Sequence, residues 1–447
     1  MRIAVVGGGI SGLVAAYRAR QRFGPDADIV LLERGERVGG VLHTGELGGG
    51  PLDFGAEAFV GRRPEVIDLM TELGLADQLV RPAGKRPLVW AGGATHPLPA
   101  RTLMGIPSDA ESLRGLVDDD ALNWIETEAE RPFSWTPGSD TDVASLVVDR
   151  FGEQVVRRSV DPLLGGVYAG MASSIGVRAA LPTLAAALDR GAPNLTAAVK
   201  AALPAPSTEP VFGALRDGYA TLTAALVAAS DARVITNTAV TRIAPAAQSG
   251  WIVDPLGRVD ALILAVPAPT VARLLRPFAP EAAATAATIE PSSSVVVALA
   301  LPLDTELPDN SGILIATGEP LRAKAFTLSS RKWPHLADRE HLLVRASFGR
   351  FGDDSAQRWS DDELITAASE DLATVTGVKI APAHAHVQRW PGALAQYAPN
   401  HGATITELQT RTSEFANLAL AGAYLNGVGV PACVASGTRA VTQLSQV

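Results

Sequence analysis

Residues 3–20 of the chain spell IAVVGGGISGLVAAYRAR, in which a β-branched run leads through three glycines into a helical pattern. Leu13 and Tyr17 have the spacing of residues that share one face of a helix. A second apolar run, at residues 29–32, follows the helical pattern and ends at Glu33. The order strand, glycine turn, helix, strand predicts a β-α-β unit at the start of an α/β fold.

The glycine turn has the spacing G-x-G-x-x-G and lies directly between the predicted strand and helix. In dinucleotide sites the first glycine permits a tight turn, the second lets the backbone approach the pyrophosphate, and the third lets helix and strand pack closely. The helix N-terminus offers free N–H groups to the phosphates. Glu33, 21 residues after Gly12, would accept the ribose hydroxyls. A plain glycine-rich turn is the alternative. The flanking strand, helix and acid favour a Rossmann-like dinucleotide site made of Gly7, Gly8, Gly9, Ile10, Ser11, Gly12 and Glu33.

The composition describes a compact globular protein with more than one domain. The chain has 447 residues, of which 47% are hydrophobic and 19% charged, and this length exceeds what one hydrophobic core usually serves. The formal charge of −9 argues against nucleic-acid binding. Because Cys433 is the single cysteine of the sequence, an internal disulfide and a cysteine-based metal cluster are excluded, and a reducing compartment is indicated.

Neither a targeting segment nor a membrane span is expected. The apolar start runs directly into the glycine turn at residues 7–9, which leaves no room for a signal peptide. The longest apolar stretches, such as residues 295–301, fall well short of the roughly 20 residues that cross a bilayer. We therefore expect a cytoplasmic protein whose contact with a membrane, if it has any, is peripheral.

Apolar periodicity predicts the other elements. Residues 64–79 and 221–229 have helical spacing, and residues 106–204, rich in alanine, leucine and charge, are expected to be mostly helical. The predicted strands lie at residues 233–235, 259–266, 295–301, 312–316, 342–348 and 418–421. The last of these leads through a glycine-rich turn into a helix from Ala432, which repeats the order of the N-terminus.

Since both ends of the chain carry this order, the cofactor domain is expected to be discontinuous. We predict a cofactor domain at residues 1–83, 209–287 and 412–447. A sheet-containing substrate domain is predicted at residues 84–98 and 288–411, and a helical insert at residues 99–208.

Three glycine-containing segments in this order resemble the amine-oxidase-like flavoprotein superfamily. The first continues from Glu33 through Arg34 to Gly39, Gly40 and Val41. The other two are Gly55-Ala56-Glu57-Ala58 and Gly427-Val428-Gly429-Val430. The resemblance implies that the cofactor is FAD in an extended form, held by a Rossmann-like domain.

Longer phrases are similar to the porphyrinogen oxidases of haem synthesis, and particularly to their soluble Gram-positive branch. They are KRPLVW at 85–90, PLP at 97–99, GIPS at 105–108, RFGE at 150–153, DPLLGGVYAG at 161–170, SRKWP at 330–334, and RWP at 389–391 through Gln396-Tyr397 to His401. The GVYAG phrase at 166–170 and the Gln396-Tyr397 pair are more specific than the dinucleotide motif.

The family likeness implies an enzyme whose substrate is a flexible tetrapyrrole with several propionates. Flavin removes hydrides from this substrate in successive cycles and passes electrons to O2, so the protein supplies binding, orientation and local electrostatics. For the Gram-positive branch the implied reaction takes coproporphyrinogen III to coproporphyrin III with H2O2 as product. Protoporphyrinogen IX is the alternative substrate, and a ferrochelatase is the implied receiver of the porphyrin.

The same likeness suggests residues that contact the substrate. Arg86 would pair with a propionate, since a guanidinium can bind a carboxylate through two parallel hydrogen bonds. Arg62 is a weaker candidate for that role, and Lys332 would add positive potential. Gly170 would place backbone against the tetrapyrrole. The alternatives are a solvated arginine, a surface lysine and a turn glycine.

The family likeness also implies residues that contact the cofactor. By the likeness, Val240 would meet the adenine side through its backbone, and Trp390 would lie near the flavin, although a core tryptophan is the alternative. Val41 stands where relatives often have a basic residue, and Ala423 where the wider superfamily often has an acid. Backbone N–H groups of residues 427–430 could still serve the flavin.

The residues leave other functions open. An amine oxidase would need an aromatic cage around its substrate, which the aromatic content of 5% disfavours. A carotenoid desaturase would need a long apolar tunnel. A non-catalytic carrier on the same scaffold is a further alternative. His384 and His386 have no third ligand at suitable spacing, so no metal is predicted, and Cys433 is interpreted as a small buried residue.

Overall fold

The computed structural model describes residues 1–205, 207 and 209–445, so the parts of the predicted ranges at 206, 208, 446 and 447 lie outside it. Its centre is a sheet in which every neighbouring pair of strands is parallel. The strand order is Arg233–Ile235, Asp28–Leu32, Arg2–Val6, Ala261–Leu264 and Leu418–Leu420. The predicted α/β fold class is confirmed. Strands from both ends of the chain and from its middle share this sheet.

Helices cover both faces of the parallel sheet, which is why its strands are apolar at successive positions. Ile3 and Val5 pack on one face and Ala4 and Val6 on the other. The first face is covered by helices Ile10–Phe23, Pro64–Glu72, Tyr219–Ser230 and Val430–Thr442. The second is covered by Ala268–Leu275, Pro280–Ala287 and His401–Ser413. In the described part of the chain, the N-terminal and C-terminal segments therefore form one packed unit.

A second, mixed sheet follows the order His384–Ala395, Pro291–Leu301, Leu342–Phe348, Ala325–Thr327, Gly312–Ile315, Leu88–Ala91 and Ala94–Pro97. One face packs against the helix Asp361–Thr376. On the other face Leu314, Ala325 and Ser347 form a cross-strand row, and Thr327 lies in the next row. These four residues are only half-buried although their strands are inside the sheet. The middle of this face is therefore open to solvent.

The predicted helical insert is confirmed. Its helices are Asp119–Glu126, Val143–Phe151, Glu153–Val155, Asp161–Tyr168, Val177–Ala180, Pro182–Asp189 and Leu195–Ala202, with a π-helical turn at Val156–Val160. A buried pair joins two parts of the insert, since Arg150 Nε lies 3.1 Å from Glu128 Oε1. The same carboxylate accepts hydrogen bonds from the backbone N–H groups of Leu195 (2.7 Å) and Thr196 (2.9 Å), at the start of the last helix.

Short elements complete the described structure. Two three-stranded sheets consist of Phe59–Val60, Phe212–Leu215 and Leu79–Val80, and of Arg242–Pro245, Trp251–Asp254 and Gly257–Val259. Two-stranded pairs are Thr44–Glu46 with Pro51–Asp53 and Thr102–Leu103 with Ile106–Pro107. The short helices are Ser329–Lys332 and Ala423–Asn426, and the 3₁₀ turns are Ala76–Gln78, Ala110–Leu113, Glu128–Glu130, Ala172–Ser174, Pro334–Leu336 and Ser355–Arg358.

Two predicted elements were wrong in extent. The helix predicted at 64–79 ends at Glu72, because Gly74 adopts a φ of +72° and the chain turns there. The strand predicted at 259–266 is divided between two sheets at Asp260, whose carboxylate accepts a hydrogen bond from the Arg2 N–H (2.6 Å). The domain boundaries stay a prediction. Ile405 and Leu408, predicted in the substrate domain, pack into the core beside the parallel sheet.

Candidate active site

A cavity of about 630 Å³ lies at the carboxyl edge of the parallel sheet. Gly7, Glu33 and Ala265 each follow directly on a strand of this sheet, and all three line the cavity. Gly422, two residues after the last strand, lines it too. Ligands of open α/β sheets bind at this edge, where the strand order changes direction. The volume falls within the roughly 300–1,000 Å³ that is usual for cofactor and ligand sites.

The three motif glycines differ in what surrounds them. A Cβ added to Gly7, which has a φ of +107°, would lie 2.3 Å from the Ala265 carbonyl oxygen. One added to Gly12 would lie 1.9 Å from the Gly7 carbonyl oxygen. At Gly9 an added Cβ would meet no atom within 4 Å, and Gly9 lines the cavity. Gly7 and Gly12 thus allow the tight turn and the close helix packing, whereas Gly9 keeps the space before the helix open.

Glu33 is held in place at one end of the cavity by backbone donors. Its Oε2 accepts a hydrogen bond from the Gly8 N–H and its Oε1 from the Gly35 N–H, each at 2.7 Å. Each carboxylate oxygen keeps a further lone pair for a ligand hydroxyl. Val240 also lines this end, where its carbonyl accepts a hydrogen bond from Arg273 Nη2 at 3.1 Å.

Trp390 forms another part of the cavity wall. Its Nε1 donates to the Phe54 carbonyl at 3.0 Å, and the Arg37 guanidinium lies 5.8 Å from the centre of its ring. Arg37 also donates hydrogen bonds to the carbonyls of Leu42 (3.0 Å) and Gly40 (2.9 Å). These two bonds stabilise the turn that contains Val41. This part of the wall therefore presents an aromatic ring beside a guanidinium group.

These features fit FAD in an extended form. Glu33 would hold the adenosine ribose, the open space at Gly9 before the helix N-terminus would take the pyrophosphate, and the Trp390 end would take the flavin ring. When bound, FAD supplies the hydride acceptor of the site. Of the predicted cofactor residues, those that line the cavity are Gly7, Gly9, Ile10, Ser11, Glu33, Arg34, Gly39, Gly40, Val41, Val240 and Trp390.

The other predicted cofactor residues are not among the lining residues: Gly8, Gly12, Gly55, Ala56, Glu57, Ala58, Gly427, Val428, Gly429 and Val430. Gly55 packs closely, since an added Cβ would lie 1.8 Å from the carbonyl oxygen of Val41. The Gly427 N–H donates to Tyr397 Oη at 2.6 Å. Their contact with a cofactor stays a prediction.

Glu57 joins the cofactor segment to the mixed sheet. Its buried Oε2 lies 3.1 Å from Arg345 Nη1 and 3.4 Å from Lys332 Nζ, and its Oε1 accepts a hydrogen bond from the Trp333 indole. Burial raises the pKa of Glu57, but Lys332 and Arg345, together with the hydrogen bonds from Trp333 and Lys332, bring this pKa below its ordinary value. Arg345 also donates to the Gly55 carbonyl at 2.5 Å. Gly55 is thereby fixed beside the open face of the mixed sheet.

The four predicted substrate residues lie away from the lining of the cavity. Arg86 is exposed and donates to the Leu98 carbonyl at 3.0 Å, and Arg62 is exposed and donates to the Glu209 carbonyl at 3.3 Å. Lys332 is paired with Glu57 and lies 5.7 Å from the centre of the Phe212 ring. Gly170 is buried in the turn after the helix Asp161–Tyr168. Their contacts with substrate stay a prediction.

Several residues of the site were not predicted from the sequence. Arg273 and Glu290 line the cavity, and Tyr397 holds the segment behind it. The sequence phrase Gln396-Tyr397 could have pointed to Tyr397, whereas Arg273 lies in no recognisable sequence motif. Cys433 is buried as predicted, and it also lines the cavity, where burial raises the pKa of its thiol to about 11.

In the part of the chain that the structure describes, no helix has both the length and the apolar character needed to cross a bilayer.

Comparisons with known proteins identify the family. The family described as flavin containing amine oxidoreductase matches residues 10–445. A Mycobacterium tuberculosis (strain H37Rv) protein named coproporphyrinogen III oxidase is 52% identical over 98% of this chain and 96% of its own length. A Bacillus subtilis protein of the same name is 26% identical over 98% of this chain and 97% of its own length.

A solved structure has the same architecture over nearly the whole chain. It is the putative protoporphyrinogen oxidase from Exiguobacterium sp. 255-15, which superposes with a TM-score of 0.88 at 28% identity and covers 99% of this chain and 98% of its own. The family resemblance noted from the sequence is confirmed. With residues 10–445 matched and a cavity that fits an extended flavin dinucleotide, the chain belongs to the flavin-containing amine oxidoreductases and is an FAD-dependent enzyme.

Proposed function

We propose that the enzyme oxidises coproporphyrinogen III to coproporphyrin III in haem biosynthesis, with O2 as electron acceptor and H2O2 as product. The observation that carries the proposal is the 52% identity, over 98% of the chain, to a relative named coproporphyrinogen III oxidase. The alternative of an amine substrate has no comparable support. The family match also speaks against the non-catalytic carrier.

The open face of the mixed sheet is the proposed place of the macrocycle. Ala325, Thr327 and Ser347 have small side chains there and are half-buried, and Arg345, the cross-strand partner of Thr327, fixes Gly55 beside them. A broad, flat ligand suits a sheet face whose side chains are short. Since hydride chemistry belongs to the cofactor, the chain's own part is to bind the macrocycle and orient it toward the flavin end of the cavity.

Cationic groups support a substrate with carboxylates. Arg62 and Arg86 are exposed and donate only to backbone carbonyls among the described residues, so both guanidinium groups can take a carboxylate. Lys332 would add positive potential from its place beside Glu57. Coproporphyrinogen III has more propionates than protoporphyrinogen IX, which is the alternative substrate. A ferrochelatase as receiver and a cytoplasmic location with at most peripheral membrane contact belong to the same proposal.

The test is aerobic turnover of the purified holoenzyme with coproporphyrinogen III and, separately, with protoporphyrinogen IX. Formation of porphyrin is followed by absorbance and fluorescence, and H2O2 by a coupled peroxidase assay. We expect rapid formation of coproporphyrin III, with H2O2 in proportion and little reaction without O2. A strong preference for protoporphyrinogen IX would overturn the choice of substrate, and porphyrin formation without H2O2 would overturn the choice of acceptor.

A further inference from the structure

Gln396 and Tyr397 are consecutive buried residues, and so far only the hydrogen bond from the Gly427 N–H to Tyr397 has been described for them. Both are 3% exposed, and they directly follow Ala395, the last residue of the strand His384–Ala395, which lines the cofactor cavity. The two side chains bind different parts of the chain, one on each side of this segment.

Gln396 holds the turn that contains Gly170. Its Nε2 donates to the Tyr168 carbonyl at 2.7 Å, and its Oε1 would lie 2.4 Å from a Cβ added to Gly170. The backbone N–H of Gln396 donates to the carbonyl of Glu290, a cavity residue, at 2.9 Å. The turn is thereby packed directly on the Gln396 amide, next to the wall of the cavity.

The same turn is held in an uncommon backbone conformation. Ala169 has a φ of +48°, which costs energy for a residue other than glycine. Its carbonyl accepts hydrogen bonds from Phe351 N–H at 2.7 Å and from Ser292 Oγ at 2.9 Å. A strained turn that is fixed from three sides has one defined position over the mixed sheet.

Tyr397 holds the C-terminal loop, part of which lines the cavity. Its Oη donates to the Ala423 carbonyl at 2.5 Å and accepts from the Gly427 N–H at 2.6 Å. Its ring stacks on His401 at a centroid distance of 3.9 Å, and His401 Nε2 lies 3.1 Å from the Leu425 carbonyl oxygen. Ala423 lines the cavity, so the hydroxyl of Tyr397 fixes one part of its wall.

We infer that Gln396 and Tyr397 are a pair of positioning residues, in which Gln396 sets the Gly170 turn against the macrocycle and Tyr397 sets the C-terminal loop against the flavin. Because the two residues are adjacent in the chain, the separation between substrate and cofactor is fixed by one rigid segment. The role of Gln396 rests on the proposed function, whereas that of Tyr397 needs only the cofactor.

The test compares Gln396→Leu and Tyr397→Phe, with Gln409→Leu and Tyr17→Phe as matched controls outside the site. We expect Tyr397→Phe to weaken FAD binding about tenfold, as the loss of a buried hydrogen bond does, with the KM for coproporphyrinogen III unchanged. FAD affinity is measured on apoprotein by quenching of flavin fluorescence. We expect Gln396→Leu to lower kcat/KM for coproporphyrinogen III about tenfold, with FAD affinity within twofold of the wild type.

Two outcomes would contradict the inference. If both variants change the same quantity to the same extent, or neither differs from its control, the inference is wrong. A thermal melt of each holoenzyme identifies a variant that does not fold, and in that case Gln396→Glu and Tyr397→Trp replace it under the same criteria. If the wild type does not oxidise coproporphyrinogen III, the proposed function fails, whereas the FAD measurement on Tyr397→Phe still decides the part of the inference that concerns the cofactor.

Discussion

At the scale of single residues, the motif glycines have separable effects. Gly9 faces the open cavity, so Gly9→Ala leaves the fold intact and places a methyl group where the pyrophosphate would bind. Gly12→Ala drives a Cβ against the Gly7 carbonyl and strains the fold itself. We expect Gly9→Ala to weaken FAD binding at least about tenfold, with apoprotein stability within about 0.5 kcal/mol of the wild type. Gly12→Ala should lower the free energy of unfolding by about 1–3 kcal/mol.

Fluorescence titration with FAD and urea unfolding of the two apoproteins separate these effects. Normal FAD affinity in Gly9→Ala would contradict the assignment of the pyrophosphate to this space.

The sequence was sufficient to predict this part of the site, because the spacing of the glycines and of Glu33 follows from contact with one ligand. It was insufficient for the pairing of Arg345 with Glu57, because the two residues are 288 positions apart in the chain and only the fold brings them together.

At the scale of elements, Asp53 connects the Thr44–Glu46 and Pro51–Asp53 pair of strands to the helix Tyr219–Ser230. Its Oδ1 accepts hydrogen bonds from Thr44 Oγ1 at 2.5 Å and from Tyr219 N–H at 3.1 Å. Burial nevertheless raises the pKa of Asp53 from 3.8 to about 6, although Arg345 acts in the opposite direction. The folded state therefore binds more protons than the unfolded state between these pH values, and stability falls as the pH rises through this window.

Replacing Asp53 by asparagine removes this dependence, since the amide oxygen can accept both hydrogen bonds without a charge. We expect Asp53→Asn to be more stable than the wild type at pH 8, and this advantage to shrink between pH 6 and 4 by on the order of 3 kcal/mol. Thermal melts of both proteins at intervals over pH 4–8 measure the difference. An advantage that stays constant with pH, or that grows toward low pH, would contradict the assignment.

Elements differ in how far the sequence could predict them. The strands Arg2–Val6 and Leu342–Phe348 were predictable because apolar residues predominate in each. The strand Phe212–Leu215 was not, since glycine and alanine interrupt its apolar pattern, and it forms by pairing with Phe59–Val60 and Leu79–Val80. The helix at 64–79 was overextended because Leu75 and Leu79 continue the helical spacing past Gly74.

At the scale of the whole molecule, the cofactor cavity depends on contact between the two ends of the chain. The helices Ile10–Phe23 and Val430–Thr442 cross so closely that a Cβ added to Gly437 would lie 2.3 Å from the Ser11 carbonyl oxygen. Ser11 Oγ donates in turn to the Cys433 carbonyl at 3.0 Å, and both residues line the cavity. A change at Gly437, which does not line the cavity, must therefore move its wall.

We expect Gly437→Ala to lower both the Tm of the apoprotein and the affinity for FAD, the latter about fivefold to tenfold. Saturating FAD should restore part of the lost Tm, because a ligand that binds only the folded state stabilises it. Gly402→Ala is the matched control, since Gly402 lies in the exposed first turn of His401–Ser413 with no atom within 4 Å of an added Cβ, and it should keep or raise the Tm. Calorimetry with and without FAD measures both quantities. A Gly437→Ala protein with reduced Tm and unchanged FAD affinity would show that the crossing of the two helices supports the fold without shaping the cavity.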